Sequence, residues 1–207
     1  PSITKLSRQA LFRGDMPKDS YVQNPQNESK LWFEYWKKRQ VPASTVWYEH
    51  NGSIVNPELY NRYGYVTTSL DNHMHGCRDL KDLYDLTSNR LVEILPDIMK
   101  LYDAGYTIYI TADHGNVYSH AWRTLNAQEK AMLYTNESRG GRHLIFTKEE
   151  HLKYFFHENP GLTDDMYIRG NYAVWRNAKC FKGENEVTHG GCHFLEMIVP
   201  FAKIEKK

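Results

Sequence analysis

The chain has 207 residues, 26 Lys and Arg against 25 Asp and Glu, and a net charge of +1, which excludes a strong chain-wide attraction for polyanions. Its length suits a single domain over residues 1–207 with a sizeable core. No apolar run reaches the roughly 18 residues of a membrane-spanning helix, and the first residues lack the apolar h-region of a signal peptide. Three scattered cysteines, Cys77, Cys180 and Cys192, cannot build a disulfide framework, so a reducing, cytoplasmic setting is expected.

Pro1-Ser2-Ile3-Thr4 reads as the middle of a longer chain, with a first strand expected upstream. Residues 15–30 are polar, contain two prolines and read as a loop. Asn27 or Ser29 is expected to cap a helix over about 30–39. A short strand is expected at 45–48, and the β-rich run 65–70 reads as a strand ending at Asp71. Leu91, Ile94, Leu95, Ile98, Leu101 and Tyr102 then recur with helical period on one apolar face. Pro96 is expected to kink or divide that helix, and Gly105 to stop it. Gly105 through Ile110 reads as a buried strand, so strand, helix and strand suggest a right-handed parallel crossover. Residues 116–141 look irregular, with one helix near 126–134. A strand at 142–147, a helix at 148–157, a strand at 171–176 and a closing strand at 197–204 follow, Pro200 marking an edge or bulge. Alternation of this kind predicts an α/β fold with a mostly parallel central sheet flanked by helices.

Chemistry concentrates at three polar clusters. Thr111-Ala112-Asp113-His114-Gly115 follows the strand run, where open α/β sheets collect ligands. A carboxylate and an imidazole there suit a zinc-like ion, and Gly115 lets the backbone bend so that both reach it. The bland alternative is a turn with an incidental histidine. Asp71 and His75 stand four apart, so a helical turn would aim both the same way. His73 is out of phase, and a solvated loop is the competing reading. His189-Gly190-Gly191 pairs a histidine with two glycines that permit close backbone approach, or is simply a turn. Cys192-His193 has no CxxC spacing to support a structural zinc site. Thr4 acquires interest only beside a metal, which can make a hydroxyl nucleophilic at neutral pH. Lys5, Arg8 and Arg13 either meet phosphate or form a solvated face.

With these residues in view, the chain resembles a PglZ domain, a branch of the alkaline phosphatase superfamily. Pro1 through Gly14 is similar to the segment carrying the superfamily's nucleophile, which implies Thr4. Asp71 and His75, Asp113-His114-Gly115, and Thr188-His189-Gly190-Gly191 followed by Glu196 and Ile198-Val199-Pro200-Phe201 resemble its later motifs in their order. The resemblance implies an alkaline-phosphatase-like fold and two metal ions, usually zinc, with manganese or magnesium as substitutes. Asp71, His75 and His189 would hold one ion; Asp113, His114 and the Thr4 oxygen would hold the other. A further aspartate is expected upstream of Pro1, and Cys192-His193 departs from the leucine-serine that commonly follows the two glycines.

The implied function is metal-dependent hydrolysis of a phosphoester, by a phosphatase or phosphodiesterase acting on a nucleotide or nucleic acid. Its setting would be bacterial phage defence of the BREX type or signalling, with other defence-system proteins as partners and no membrane. The alternative is a catalytically weak or inactive interaction module in such a complex. Sulfatase chemistry needs Cys or Ser at the nucleophile, which Thr4 is not, and mutases normally use serine.

Overall fold

The computed structural model describes residues 2–18, 20–74, 76–134 and 141–206. In chain order the elements are α1 (Thr4–Arg13), α2 (Pro25–Lys37), β1 (Val46–His50), β2 (Arg62–Val66), α3 (Ser69–Met74), α4 (Leu80–Asp103), β3 (Ile108–Thr111) and β4 (Val117–Ala121). There follow α5 (Ala127–Ala131), β5 (His143–Ile145), α6 (Glu149–Glu158), β6 (Met166–Arg169), β7 (Tyr172–Trp175), β8 (Lys179–Cys180), β9 (Glu186–Thr188), α7 (Phe194–Met197) and β10 (Phe201–Ile204). The chain divides into two compact units. One comprises Thr4–Met74, Lys81–Asp113 and Pro200–Lys207; the other comprises Pro1–Ile3, His75–Leu80 and His114–Val199. No helix among the described residues is long and apolar enough to cross a membrane.

In the first unit, α2 begins earlier than expected. Asn24, not Asn27 or Ser29, is its cap, its Oδ1 accepting from Asn27 N at 2.8 Å, with Pro25 in the first turn where a missing N–H costs nothing. Phe12 of α1 meets Trp32 of α2 and Tyr48 of β1 edge-on, at centroid distances of 5.9 and 5.6 Å. Ile54, Leu101 and Ile108 form a second buried cluster, joined by Tyr63, Tyr65 and Ile98. Helix α4 is continuous through Pro96. The carbonyl that Pro96 leaves without an N–H belongs to Val92, a residue 69% exposed, so water can satisfy it. The apolar face of α4 is buried only toward its end: Leu101 is enclosed, whereas Leu91 and Leu95 stay about half exposed.

The described strands depart from a mostly parallel central sheet. They form four small sheets, parallel at β1–β2 and β4–β8, antiparallel at β3–β10, β4–β9, β5–β7 and β6–β7. The anticipated crossover does not make a ladder between its own strands: β2 pairs with β1, and β3 with β10, Phe201 opposite Thr111. Connection length explains part of this. Only Gly170 and Asn171 separate β6 from β7, and so short a link permits only an antiparallel return. Gly170 supplies the positive φ of 57° that the turn requires.

The second unit packs Phe146, Phe155, Trp175 and Phe181 into its core, with Trp175 and Phe181 centroids 4.8 Å apart. Its strand β4 lies in the stretch that looked irregular. Val117 and Ser119 point inward, and a buried serine hides the two-residue alternation from a hydrophobicity reading.

Helix α5 is anchored by one carboxylate. Asn126 Oδ1 accepts from Glu129 N, Glu129 Oε2 accepts from Asn126 N, and Arg123 reaches both Glu129 oxygens at 2.5 and 2.7 Å. Burial alone would raise the Glu129 pKa, but Arg123 and the capping N–H outweigh it and hold the carboxyl below its ordinary value of 4.5. A depressed folded pKa contributes stability that is present above the unfolded value and lost as pH falls through the folded one. Glu129→Gln is therefore expected to cost about 1–2 kcal/mol at neutral pH. Its stability should then change less than that of the wild type on acidification, as compared by urea unfolding at neutral pH and at about pH 4.

Candidate functional site

The expected site residues fall in both units. Thr4, Asp71 and Asp113 belong to the first, His114 and His189 to the second, and His75 lies outside the described residues. Among the described residues no three His, Cys, Asp or Glu side chains form a metal-holding group.

In the first unit Thr4 is the first residue of α1, and Asp71 sits in the first turn of the short helix α3, so the chain does turn helically after β2. His73 is already used: its Nδ1 donates to Ser69 O at 2.8 Å and its Nε2 faces Arg90 Nη2 at 3.2 Å. Asp113 follows the end of β3, whose Thr111 Oγ1 donates to Pro200 O at 2.9 Å.

Around α1 stands a polar group that sequence reasoning did not assemble. Glu28 of α2 is completely buried. Its carboxylate accepts from Arg8 Nη2 at 2.6 Å, from Gln23 Nε2 at 2.5 Å, and from the Tyr48 hydroxyl. Burial and then the Glu28 hydrogen bond push the Tyr48 phenol well above its usual range. Burial works to lower the Arg8 pKa, but Glu28, and behind it the charge of Asp113, leave it raised. His50, two residues beyond Tyr48 on β1, is held below the ordinary histidine value by burial and by the Arg8 charge.

In the second unit His114 and His189 come together. Their rings stack with centroids 3.8 Å apart and planes 18° from parallel. His114 Nδ1 lies 3.1 Å from Gly115 O, and His189 Nδ1 lies 3.1 Å from Ser2 O. A backbone carbonyl only accepts, so each Nδ1 carries a proton, and in the neutral ring Nε2 then carries the lone pair. This is the tautomer in which imidazole binds a metal, oriented by its second nitrogen as metal-binding histidines are. A neutral imidazole oriented in this way is a donor of the zinc-binding type.

The two corners are built on a common support. Arg142 and Glu196, both fully buried, pair through Nε–Oε1 at 3.2 Å and Nη2–Oε2 at 2.5 Å. Glu196 also accepts from Gly191 N at 2.7 Å and His193 N at 3.0 Å, while its carbonyl accepts from Gly115 N at 2.9 Å. One residue thus holds the loop after His189 and the loop after His114. The glycines serve this packing. A Cβ on Gly191 would come within 2.5 Å of Arg142 Nη2, and one on Gly115 within 2.0 Å of Leu195 O. Gly190 takes a φ of 112°. These residues leave no room because side chains and backbone of their own unit press on them.

Ser2 is the other contributor the sequence did not signal. Its hydroxyl accepts from Gly190 N at 2.9 Å and donates to Gly191 O at 3.2 Å, and its N–H donates to the same carbonyl. Cys192 and His193 take supporting parts: the Cys192 thiol lies 3.4 Å from Trp175 O, and His193 caps α7.

Removing one member of a fully buried ion pair strands the other charge. Arg142→Met is expected to cost about 3–5 kcal/mol by chemical denaturation. At a temperature where the variant stays folded, the Gly191 amide should exchange its hydrogen faster, since Glu196 would lose the partner that aims it at Gly191.

A family model of BREX system PglZ alkaline phosphatase-like domains matches residues 64–204. No individual curated protein matches the chain. The matched span includes Asp71, His75, Asp113, His114 and His189, but starts after α1 and Thr4. It covers more than half of the 207 residues and contains every expected metal ligand other than the Thr4 oxygen, with His114 in its middle third and His189 and Glu196 in its final third. The chain belongs to the PglZ family of BREX-system alkaline phosphatase-like domains.

Proposed function

We propose that this domain hydrolyses a phosphoester with the help of bound metal, as a phosphatase or phosphodiesterase of a defence system, and that a nucleotide or nucleic acid is its substrate. The observation that carries the reading is the pair His114 and His189, stacked and each locked by a carbonyl into the metal-binding tautomer. Family membership supports the reaction class. Thr4 is assigned as nucleophile from the likeness of residues 1–14 to the superfamily's nucleophile segment, and its place at the start of α1 is compatible with that role.

The ligands proposed are Asp71, His75 and His189 for one ion and Asp113, His114 and Thr4 for a second, zinc being favoured by the imidazole and carboxylate donors. Bound metal would lower the pKa of the Thr4 hydroxyl and stabilise charge on the leaving oxygen. The Thr4 Oγ, having given its proton to solvent water, forms a bond to phosphorus as the bond to the leaving oxygen breaks, and that oxygen takes a proton back from solvent. A water then attacks the phosphothreonine, its oxygen passing to the released phosphate and the proton returning to Thr4 Oγ. His114 and His189 keep Nδ1 protonated throughout, because Gly115 O and Ser2 O accept from it.

Thr4→Ala and Asp113→Ala should each reduce zinc- or manganese-supported hydrolysis of a model phosphodiester by at least about 100-fold. Full activity in both would overturn the site assignment. Elemental analysis gives a second check: zinc in the purified protein should fall in His189→Ala. A folded wild type that takes up no zinc and hydrolyses no phosphoester would instead be an interaction module.

A further inference from the structure

Helix α4 matches its cations with its own acids: Lys81 pairs with Asp85, Arg90 with Glu93 and Lys100 with Asp97. The end of α2, in the same unit, does the opposite. Lys37, Lys38 and Arg39 follow one another, and no acidic residue occurs between Glu34 and Glu49. Arg62, the first residue of β2, joins them from another part of the chain, its guanidinium over the Trp36 ring at 4.7 Å from the centroid. All four cations are exposed, and among the described residues none of them forms an ion pair. Glu34 lies one turn before Lys38 without pairing to it. The free carbonyls ending α2 account for Lys37 and Lys38, which they favour by about 0.3–1 kcal/mol each. They do not account for Arg62, which stands on a strand.

Aromatic rings beneath these charges supply a second, independent feature. Tyr35 and Trp36 meet edge-on with centroids 5.2 Å apart. Arg39 sits over Tyr35 at 3.5 Å, in van der Waals contact with the ring. Each guanidinium donates one hydrogen bond within the described residues, Arg39 to Tyr35 O at 3.2 Å and Arg62 to Asn61 O at 2.7 Å. The rest of its five N–H donors remain for solvent or a ligand. An arginine seated on a ring is held in place by it and still offers its outer plane. Nucleobases stack on guanidinium planes, while phosphates take the N–H edges and neighbouring ammonium groups. A duplex keeps its bases inside and presents only phosphates to such a surface. An acidic peptide brings charge without a flat ring.

We propose that the end of α2, together with Arg62 of β2, is a binding surface for single-stranded nucleic acid. Lys37 and Lys38 meet its phosphates, and Arg39 and Arg62, backed by Tyr35 and Trp36, stack against its bases. The surface takes no part in bond breaking, and it does not rest on the assignment of Thr4 or of the metal ligands.

The test is fluorescence anisotropy of a labelled oligothymidylate of about 15 nucleotides, titrated with the protein at several salt concentrations. EDTA is present, so that metal-supported cleavage does not intervene. Lys37→Gln combined with Lys38→Gln should weaken binding at least about tenfold at low salt. It should also make the log–log salt slope shallower by about 1.4, at roughly 0.7 for each lost phosphate contact on a single strand. Arg62→Lys keeps the charge and loses the plane. It should weaken the oligothymidylate at least about threefold with the salt slope unchanged, which a merely electrostatic surface would not show. Lys153→Gln, on α6 of the other unit, should bind like the wild type. Three results each overturn the proposal: no binding by about 100 μM wild-type protein, wild-type affinity in the double lysine variant, or equal affinity for a duplex of the same length or for polyglutamate. Strand binding that depends on these lysines, in a protein that hydrolyses no phosphoester with zinc, would keep the surface and remove the proposed function. Zinc-supported hydrolysis of a small phosphodiester without strand binding would do the reverse.

Discussion

The buried pair of Arg142 and Glu196 is the constraint on which the histidine-bearing unit depends. Neither side chain is exposed, and every part of the guanidinium is used: two nitrogens on Glu196, the third on the carbonyls of Asn177 and Lys179. Glu196 spends its remaining acceptor capacity on the N–H groups of Gly191 and His193 and, through its carbonyl, on Gly115. Loops carrying two glycines would otherwise have wide conformational freedom, and a saturated ion pair removes it. Two histidines 75 positions apart in sequence are stacked because the backbone that follows each ends on the same four-residue helix, α7.

Orientation of the imidazoles follows from that fixed backbone. A histidine beside a flexible loop would exchange tautomers, whereas here each Nδ1 faces a carbonyl whose position is set by neighbouring hydrogen bonds. Ser2 is the clearest instance. It bonds Gly190 and Gly191 on one side and accepts from His189 on the other, so the residue two before Thr4 sets the proton position of a histidine near the end of the chain.

The two histidines that stack were easier to single out in the sequence than the residues that hold them. Asp113-His114-Gly115 at a strand end and His189 before two glycines stand out because acidic, imidazole and glycine residues are rare together in packed structure. Arg142 gave no signal: an arginine after two glycines at the start of a strand reads as surface, and only a distant Glu196 explains its burial. Glu28 was likewise hidden in a polar stretch read as loop, because the Asn24-Pro25 start of α2 was missed. Sheet direction was the least legible feature. Alternating helices and strands suggested parallel crossovers, but pairing depends on partners remote in sequence, such as β10 for β3, and on tight links such as Gly170-Asn171. Strand β4 escaped because Ser119 occupies an inward position.

Among the described residues two arginine–glutamate pairs have a completely buried carboxylate, and the difference between them is informative. Arg142 is wholly enclosed, and its donors are matched by carboxylate oxygens and two backbone carbonyls, so it has nothing left to offer a ligand. Arg8 keeps a little exposure and shares its carboxylate with Tyr48 and Gln23, and beyond Glu28 its guanidinium is influenced by the charge of Asp113. A pair that serves only the fold is expected to be saturated, since an unmet buried donor costs about 1–3 kcal/mol.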